Sequence, residues 1–214
     1  MEIDFISSLH KSTKRNYLAR VNDSCYPKDK AAKLAKKWGY HYWDGNRKIN
    51  YGGYKYIKGR WTKIIKKLCK FYKLKNNAKI LDVGCGKGFF LKDLKDYNDT
   101  FQLYGVDISK YAIKNAHPDI KKLITLSNAS KLKWKDNFFD LVVSFNTLHN
   151  LHNYDLLSSL KELERVAKKK YLVVESYRNE KEKMNLLYWQ VTCEAFCTPK
   201  EWKWWFKQAN YKGD

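Results

Sequence analysis

The chain has 214 residues, 44% of them hydrophobic and 16% aromatic, which is enough to bury a full core and too apolar for a disordered chain despite a mean hydropathy of −0.68. No run approaches the ~18 apolar residues of a membrane span, and the N-terminus carries acids first and no apolar leader, so a cytoplasmic protein is expected. Cys25, Cys69, Cys85, Cys193 and Cys197 show no C-x-x-C spacing, and no carboxylates or histidines cluster at ligand spacing, so reduced thiols and no metal are expected.

The formal net charge of +21 raises the question of nucleic acid. Arginine, however, stands only at 15, 20, 47, 60, 165 and 178 among 43 basic residues, whereas phosphate recognition favours its planar fork. A chain rich in Lys, Asn, Ile and Tyr has the composition of an AT-rich coding sequence, and the charge is read mainly as that plus solubility.

In chain order, residues 1–60 read as an N-terminal extension and 61–214 as one compact core domain, without repeats or a proline-rich linker. Within the extension, Pro27 to Trp38 predicts a short helix with proline in its first turn and Gly39 at its stop. Trp38 to Trp61 has aromatic residues among glycines with no helical or strand period, which suits a loop-rich lid over a pocket as well as simple packing onto the core. Residues 59–75 predict an amphipathic helix, with Trp61, Ile64, Ile65, Leu68 and Tyr72 on one face and Lys63, Lys66, Lys67, Lys70 and Lys73 on the other. Short apolar runs follow at 79–83, 101–106, 123–126, 140–145 and 171–175, with helical stretches at about 88–97, 109–116 and 155–168 between them. This alternation predicts an α/β fold: a Rossmann-like, doubly wound, mostly parallel sheet with helices on both faces, plus the N-terminal helical and aromatic lid extension. Ligands of such sheets bind at the carboxyl ends of the strands.

The first predicted strand runs into ILDVGCGKGFF, Ile80 to Phe90. Glycines at 84, 86 and 88 permit a tight turn and close approach of a ligand to the backbone. A phosphate-cradling loop needs G-x-x-x-x-G-K-[ST], but Lys87 is followed by Gly88; a dinucleotide site needs G-x-G-x-x-G, but this turn reads G-x-G-x-G. The stretch instead resembles motif I of the class I S-adenosylmethionine-dependent methyltransferases, (D/E)-x-G-x-G-x-G, here Asp82, Gly84, Gly86 and Gly88, with Cys85 inside the turn. Further motifs of that family follow in register over about residues 60–176. The resemblance implies that Asp107, with Ile108 after it, meets the ribose hydroxyls. It likewise implies that Asn128 and Ala129 lie by the adenine, and that Asn146 lies in a motif IV that reads DLVVSFNTLHNL. The implied cofactor is S-adenosylmethionine (SAM), leaving as S-adenosylhomocysteine (SAH). The family's C-terminal hairpin is missing after the last predicted helix, 198–211, so the sheet is short or the chain is clipped there.

Methyl transfer is an in-line displacement in which a base is optional. His149 at the end of the fourth strand is the first catalytic candidate, because imidazole titrates near neutral pH; a helix-cap or cofactor contact is the alternative, and Glu175 after the fifth strand is a weaker candidate. Asp44, Tyr51, Tyr54 and Tyr56 are candidates to line an acceptor pocket, as is the aromatic stretch Tyr188 to Trp205. Motif IV lacks the prolines and aromatic of nucleobase amino-methylating enzymes and looks more like the small-molecule branch of the family. The expected partner is therefore a small polar or anionic acceptor, such as a sugar or a nucleotide-linked precursor of surface polysaccharide. The rival is an RNA-modifying methyltransferase or RNA-binding protein that uses the basic helix at 59–75.

Overall fold

The computed structural model describes residues 2–9, 16–49 and 55–214. Nine α-helices lie among the described residues: α1 (Tyr17–Val21), α2 (Lys28–Ala35), α3 (Tyr40–Trp43), α4 (Thr62–Phe71), α5 (Phe89–Tyr97), α6 (Lys110–Lys114), α7 (Asn153–Val166), α8 (Glu180–Trp189) and α9 (Pro199–Gln208). The strands are β1 (Lys79–Val83), β2 (Gln102–Asp107), β3 (Ile124–Leu126), β4 (Leu141–Phe145) and β5 (Lys170–Val173). They form one sheet, ordered β3-β2-β1-β4-β5, in which every pairing is parallel. The Rossmann-like class predicted from the alternation is the one observed.

The two faces of the sheet explain why the strands are nearly unbroken apolar runs. Because side chains alternate, Ile80 and Val143 face a core shared with Ile64, Ile65 and Leu68 of α4 and Phe90, Leu91 and Leu94 of α5. Leu81, Val83 and Val142 face the opposite core, with Leu156, Leu160, Leu163 and Val166 of α7 and Trp202 of α9. The reversal of strand order beside β1 leaves a crevice at the carboxyl ends of β1, β2 and β4, where the glycine turn lies.

The N-terminal residues pack on this frame at two places. Phe5 donates its N–H to the Tyr171 hydroxyl at 3.2 Å and packs at a tilt against that ring, while Ile6 joins the α4 side of the core. Ala31 and Ala35 of α2, with Ile49, pack against Val191. Trp38 to Trp61 carries a helical turn that its pattern did not announce. That turn, α3, spans four residues between Gly39 and Gly45; a β-carbon on Gly45 would stand 2.6 Å from the His41 carbonyl oxygen. Tyr51 and Tyr54 lie outside the described residues.

Beyond β5, α8 has no helical period to announce it, because its apolar residues bunch at its C-terminal half. It starts where Asn179 caps the Glu182 N–H. Thr198 and Glu201 form a reciprocal capping box for α9. Asp214 then lies along β5, donating to the Lys170 carbonyl at 3.0 Å and accepting from the Leu172 N–H at 2.9 Å.

Candidate active site

The glycine turn owes its shape to three residues in left-handed backbone, Gly84 (φ 76°), Gly86 (φ 55°) and Gly88 (φ 73°). The Gly84 and Cys85 N–H groups both donate to the Val106 carbonyl, at 2.8 and 3.1 Å, and so hook the turn onto β2. A β-carbon on Gly84 would stand 2.1 Å from the Thr147 hydroxyl, which ties the start of the turn to the end of β4. The Cys85 side chain points into the α4-side core against Gly105, and burial raises its pKa well above that of a free thiol. A cofactor therefore meets only the backbone of Cys85, and its thiol is not a nucleophile.

Asp107 closes the turn from the end of β2. Its Oδ2 accepts from the Gly86 N–H at 2.8 Å and its Oδ1 from the Ser109 N–H at 2.7 Å. Asp82 is 3% exposed, and no donor among the described residues reaches its carboxyl group. Burial, and then the nearby Asp107, push its pKa up to about 8. A buried carboxyl without a donor is costly unless something cationic or protic completes it.

The other residues named from sequence also gather at the strand ends. Ile108 follows β2 and is half exposed, Asn128 is exposed and accepts from the Ser130 N–H, and Ala129 is buried in the core facing α7. Asn146 follows β4 in left-handed backbone (φ 53°), exposed, with its N–H on the Val173 carbonyl at 2.9 Å.

His149 occupies the expected strand end, but the structure corrects its chemistry. It is 1% exposed, and burial lowers its pKa to about 4. Its Nδ1 accepts from the Glu175 N–H at 3.2 Å, so the neutral ring carries its proton on Nε2, which lies 3.8 Å from Glu175 Oε2. A buried, neutral imidazole whose Nδ1 already accepts is poorly placed to take a proton from an acceptor. The Glu175 carboxylate is also held by the Gln190 amide, and its backbone carbonyl by the Trp202 indole N–H at 2.9 Å. Val174 and Ser176, on either side of Glu175, line an open cleft of about 490 Å³ with Arg178, Asn185 and Trp189.

The cap on the glycine turn is the feature that the sequence did not reveal. Asp44, a pocket-lining candidate, accepts from Lys87 Nζ at 2.6 and 2.7 Å and from the Tyr111 hydroxyl at 3.0 Å. Trp43 lies against Gly86, and its Nε1 donates to Ser109 Oγ at 2.9 Å. Tyr56, another such candidate, donates instead to Asp93 of α5 at 2.7 Å, and Asp93 also accepts from the Gly59 and Trp61 N–H groups. Its role is to anchor the chain that enters α4.

Comparison with known proteins agrees with this geometry. The profile of a family described as "Methyltransferase domain" matches residues 81–174, from β1 to just past β5. Residues 81–174, a little under half of the chain, are thus similar to a methyltransferase domain. Over 103 residues it is 36% identical to an uncharacterized protein of Methanocaldococcus jannaschii, covering 48% of this chain and 42% of that one. Over 89 residues it is 35% identical to the mitochondrial arginine-hydroxylase NDUFAF5 of Mus musculus, covering 41% of this chain and 25% of that one. The chain thus spans less than half the length of these curated relatives. A solved structure of phosphoethanolamine N-methyltransferase 2 from Haemonchus contortus, in complex with SAM, superposes with a TM-score of 0.55 at 16% identity, over 92% of this chain and 44% of that one. At that identity the likeness is one of fold.

The cofactor of this family is SAM, and the residues present fit it. Its ammonium and sulfonium are cations of the kind the donor-free Asp82 lacks, and its vicinal ribose hydroxyls suit the Asp107 carboxylate. Asn128, Ala129 and the half-exposed Ile108 supply a polar and apolar edge for the base. The methyltransferase domain, its fold and its cofactor therefore agree. No described helix is long and apolar enough to cross a membrane.

Proposed function

We propose that the chain transfers a methyl group from SAM to a small polar or anionic metabolite by in-line displacement, with a sugar or a nucleotide-linked precursor of surface polysaccharide as the substrate class. The observation that carries this reading is the cap: Trp43 and Asp44 cover the glycine turn, so that the site supports a small, enclosed acceptor better than a polymer lying across an open mouth. When bound, SAM supplies a methyl carbon activated by a sulfonium leaving group.

The protein's part is alignment, exclusion of water and, for a hydroxyl acceptor, removal of a proton. Glu175 is the group for that proton. Its side chain is 21% exposed while that of His149 is 2% exposed; the Gln190 amide holds its carboxylate, and His149 Nδ1 holds its backbone N–H. His149 is then a positioning residue.

A second reading is favoured by one observation. Lys55, Lys58, Arg60, Lys63, Lys66, Lys67, Lys70, Lys73 and Lys75 are all exposed, and among the described residues none makes a salt bridge within 4 Å, although Lys58 and Lys67 feel the charges of Asp96 and Asp4. Such a track suits the phosphates of RNA.

The deciding experiment follows isotopically labelled methyl from SAM into a lysate of the source organism, split into metabolite and RNA fractions. Label in the metabolite fraction is expected, and its mass identifies the acceptor. Label confined to RNA would replace the first reading with the second.

A further inference from the structure

We propose that Trp43 and Asp44 form a latch on the glycine turn, and that it must open before SAM or SAH can enter or leave. The inference rests on SAM being the cofactor and adds to it a gate made of residues outside the matched domain. A β-carbon built on Gly86 would stand 2.6 Å from Cη2 and 2.8 Å from Cζ3 of the Trp43 indole. The ring therefore fills the space that the missing side chain leaves, and a ligand approaching that α-carbon must displace it.

Charge and hydrogen bonds hold the ring there. Both Asp44 oxygens accept from Lys87, whose side chain is 7% exposed, and the Tyr111 hydroxyl adds a third bond. The Trp43 Nε1–H is shared between Ser109 Oγ and the Trp38 carbonyl at 3.1 Å, and Ser109 Oγ donates to that same carbonyl. Tyr40 meets the Tyr111 ring edge-on with centroids 6.0 Å apart. Lys87 and Ser109 are each within two residues of a group assigned to the cofactor, Gly86 and Asp107. The cap thus grips the two chain segments that bracket the cofactor site.

α3 carries the whole device as a single turn flanked by Gly39 and Gly45, so the ring and the carboxylate can swing together. Opening exchanges the partly buried Lys87–Asp44 bond for water, and the bond re-forms when the ligand has left.

The test is stopped-flow binding of SAH to the full chain, read by tryptophan fluorescence, for wild type, Asp44→Asn and Tyr111→Phe. If opening precedes binding, the observed wild-type rate levels off at high SAH. In Asp44→Asn that plateau is expected to rise about tenfold, the worth of one charge-assisted bond, and in Tyr111→Phe by less. A merely structural cap would raise only the dissociation rate. Observed rates that stay linear in SAH and share one slope across the three proteins would overturn the latch while leaving the cofactor in place. SAH binding to none of them would overturn both.

Discussion

His149 Nδ1 accepts a hydrogen bond from the Glu175 backbone N–H at 3.2 Å, and this one contact fixes where the ring's proton sits. The native imidazole is neutral and carries its proton on Nε2. Imidazole nitrogen NMR is expected to show that tautomer without titration from pH 5 to 8; a His149 that titrates near 6.5 would return it to the role of a base.

The same burial makes stability depend on pH. The native pKa of about 4 lies below the ordinary value of 6.5, so the contribution is complete above pH 6.5 and is lost as the pH falls toward 4. The loss reaches about 3 kcal/mol. Denaturant midpoints measured between pH 7 and 4.5 should fall in the wild type and fall less in His149→Asn, after allowing for that variant's lower starting stability.

Glu175→Gln keeps the shape of the side chain and its contact region but cannot take a proton. For a hydroxyl acceptor, turnover should drop about 100-fold or more while SAH affinity is retained. Unchanged turnover would mean that the acceptor sheds its proton to water.

Asp82 predicts a pH-dependent affinity. With its pKa raised to about 8, the free protein holds a proton that a cationic ligand expels. SAH affinity should therefore rise from pH 6 to 8 and level off above. Calorimetry in two buffers of different ionisation heat should show proton release at pH 6.5; equal heats after correction and a flat affinity would remove Asp82 from the site.

Arg165 anchors the loop that follows Asn128 and Ala129. Its guanidinium binds both Glu162 oxygens at 2.7 and 2.8 Å, Asp136 at 2.9 Å, and the carbonyls of Trp134 and Leu132 at 2.7 and 3.0 Å. Lysine cannot reproduce this planar fork, so Arg165→Lys should cost about 1–3 kcal/mol and weaken SAH binding several-fold. Urea unfolding and a binding titration check the two effects separately.

The lysine face of α4 separates the two functional readings. Replacing Lys63, Lys66, Lys67 and Lys70 with Gln should leave methyl transfer to the metabolite fraction intact, and stability unchanged or slightly higher, because like charges one turn apart repel. If RNA were the substrate, the same change would flatten the salt dependence of RNA binding by about 0.7 in slope per lysine removed.

The fold and the cofactor cradle were legible in the sequence because they rest on local rules. Unbroken apolar runs alternating with helical periods force a parallel sheet, and Gly84, Gly86 and Gly88 sit where the backbone turns left-handed. Asp107, 19 residues beyond Gly88, ends the neighbouring strand for the same reason. Tertiary structure alone decided that Lys87 pairs with Asp44, 43 residues upstream, that Trp43 fills the hollow over Gly86, and that His149 is sealed against Glu175. These are contacts between segments far apart in the chain, and a side chain's protonation and exposure follow from what packs over it, which no local period records.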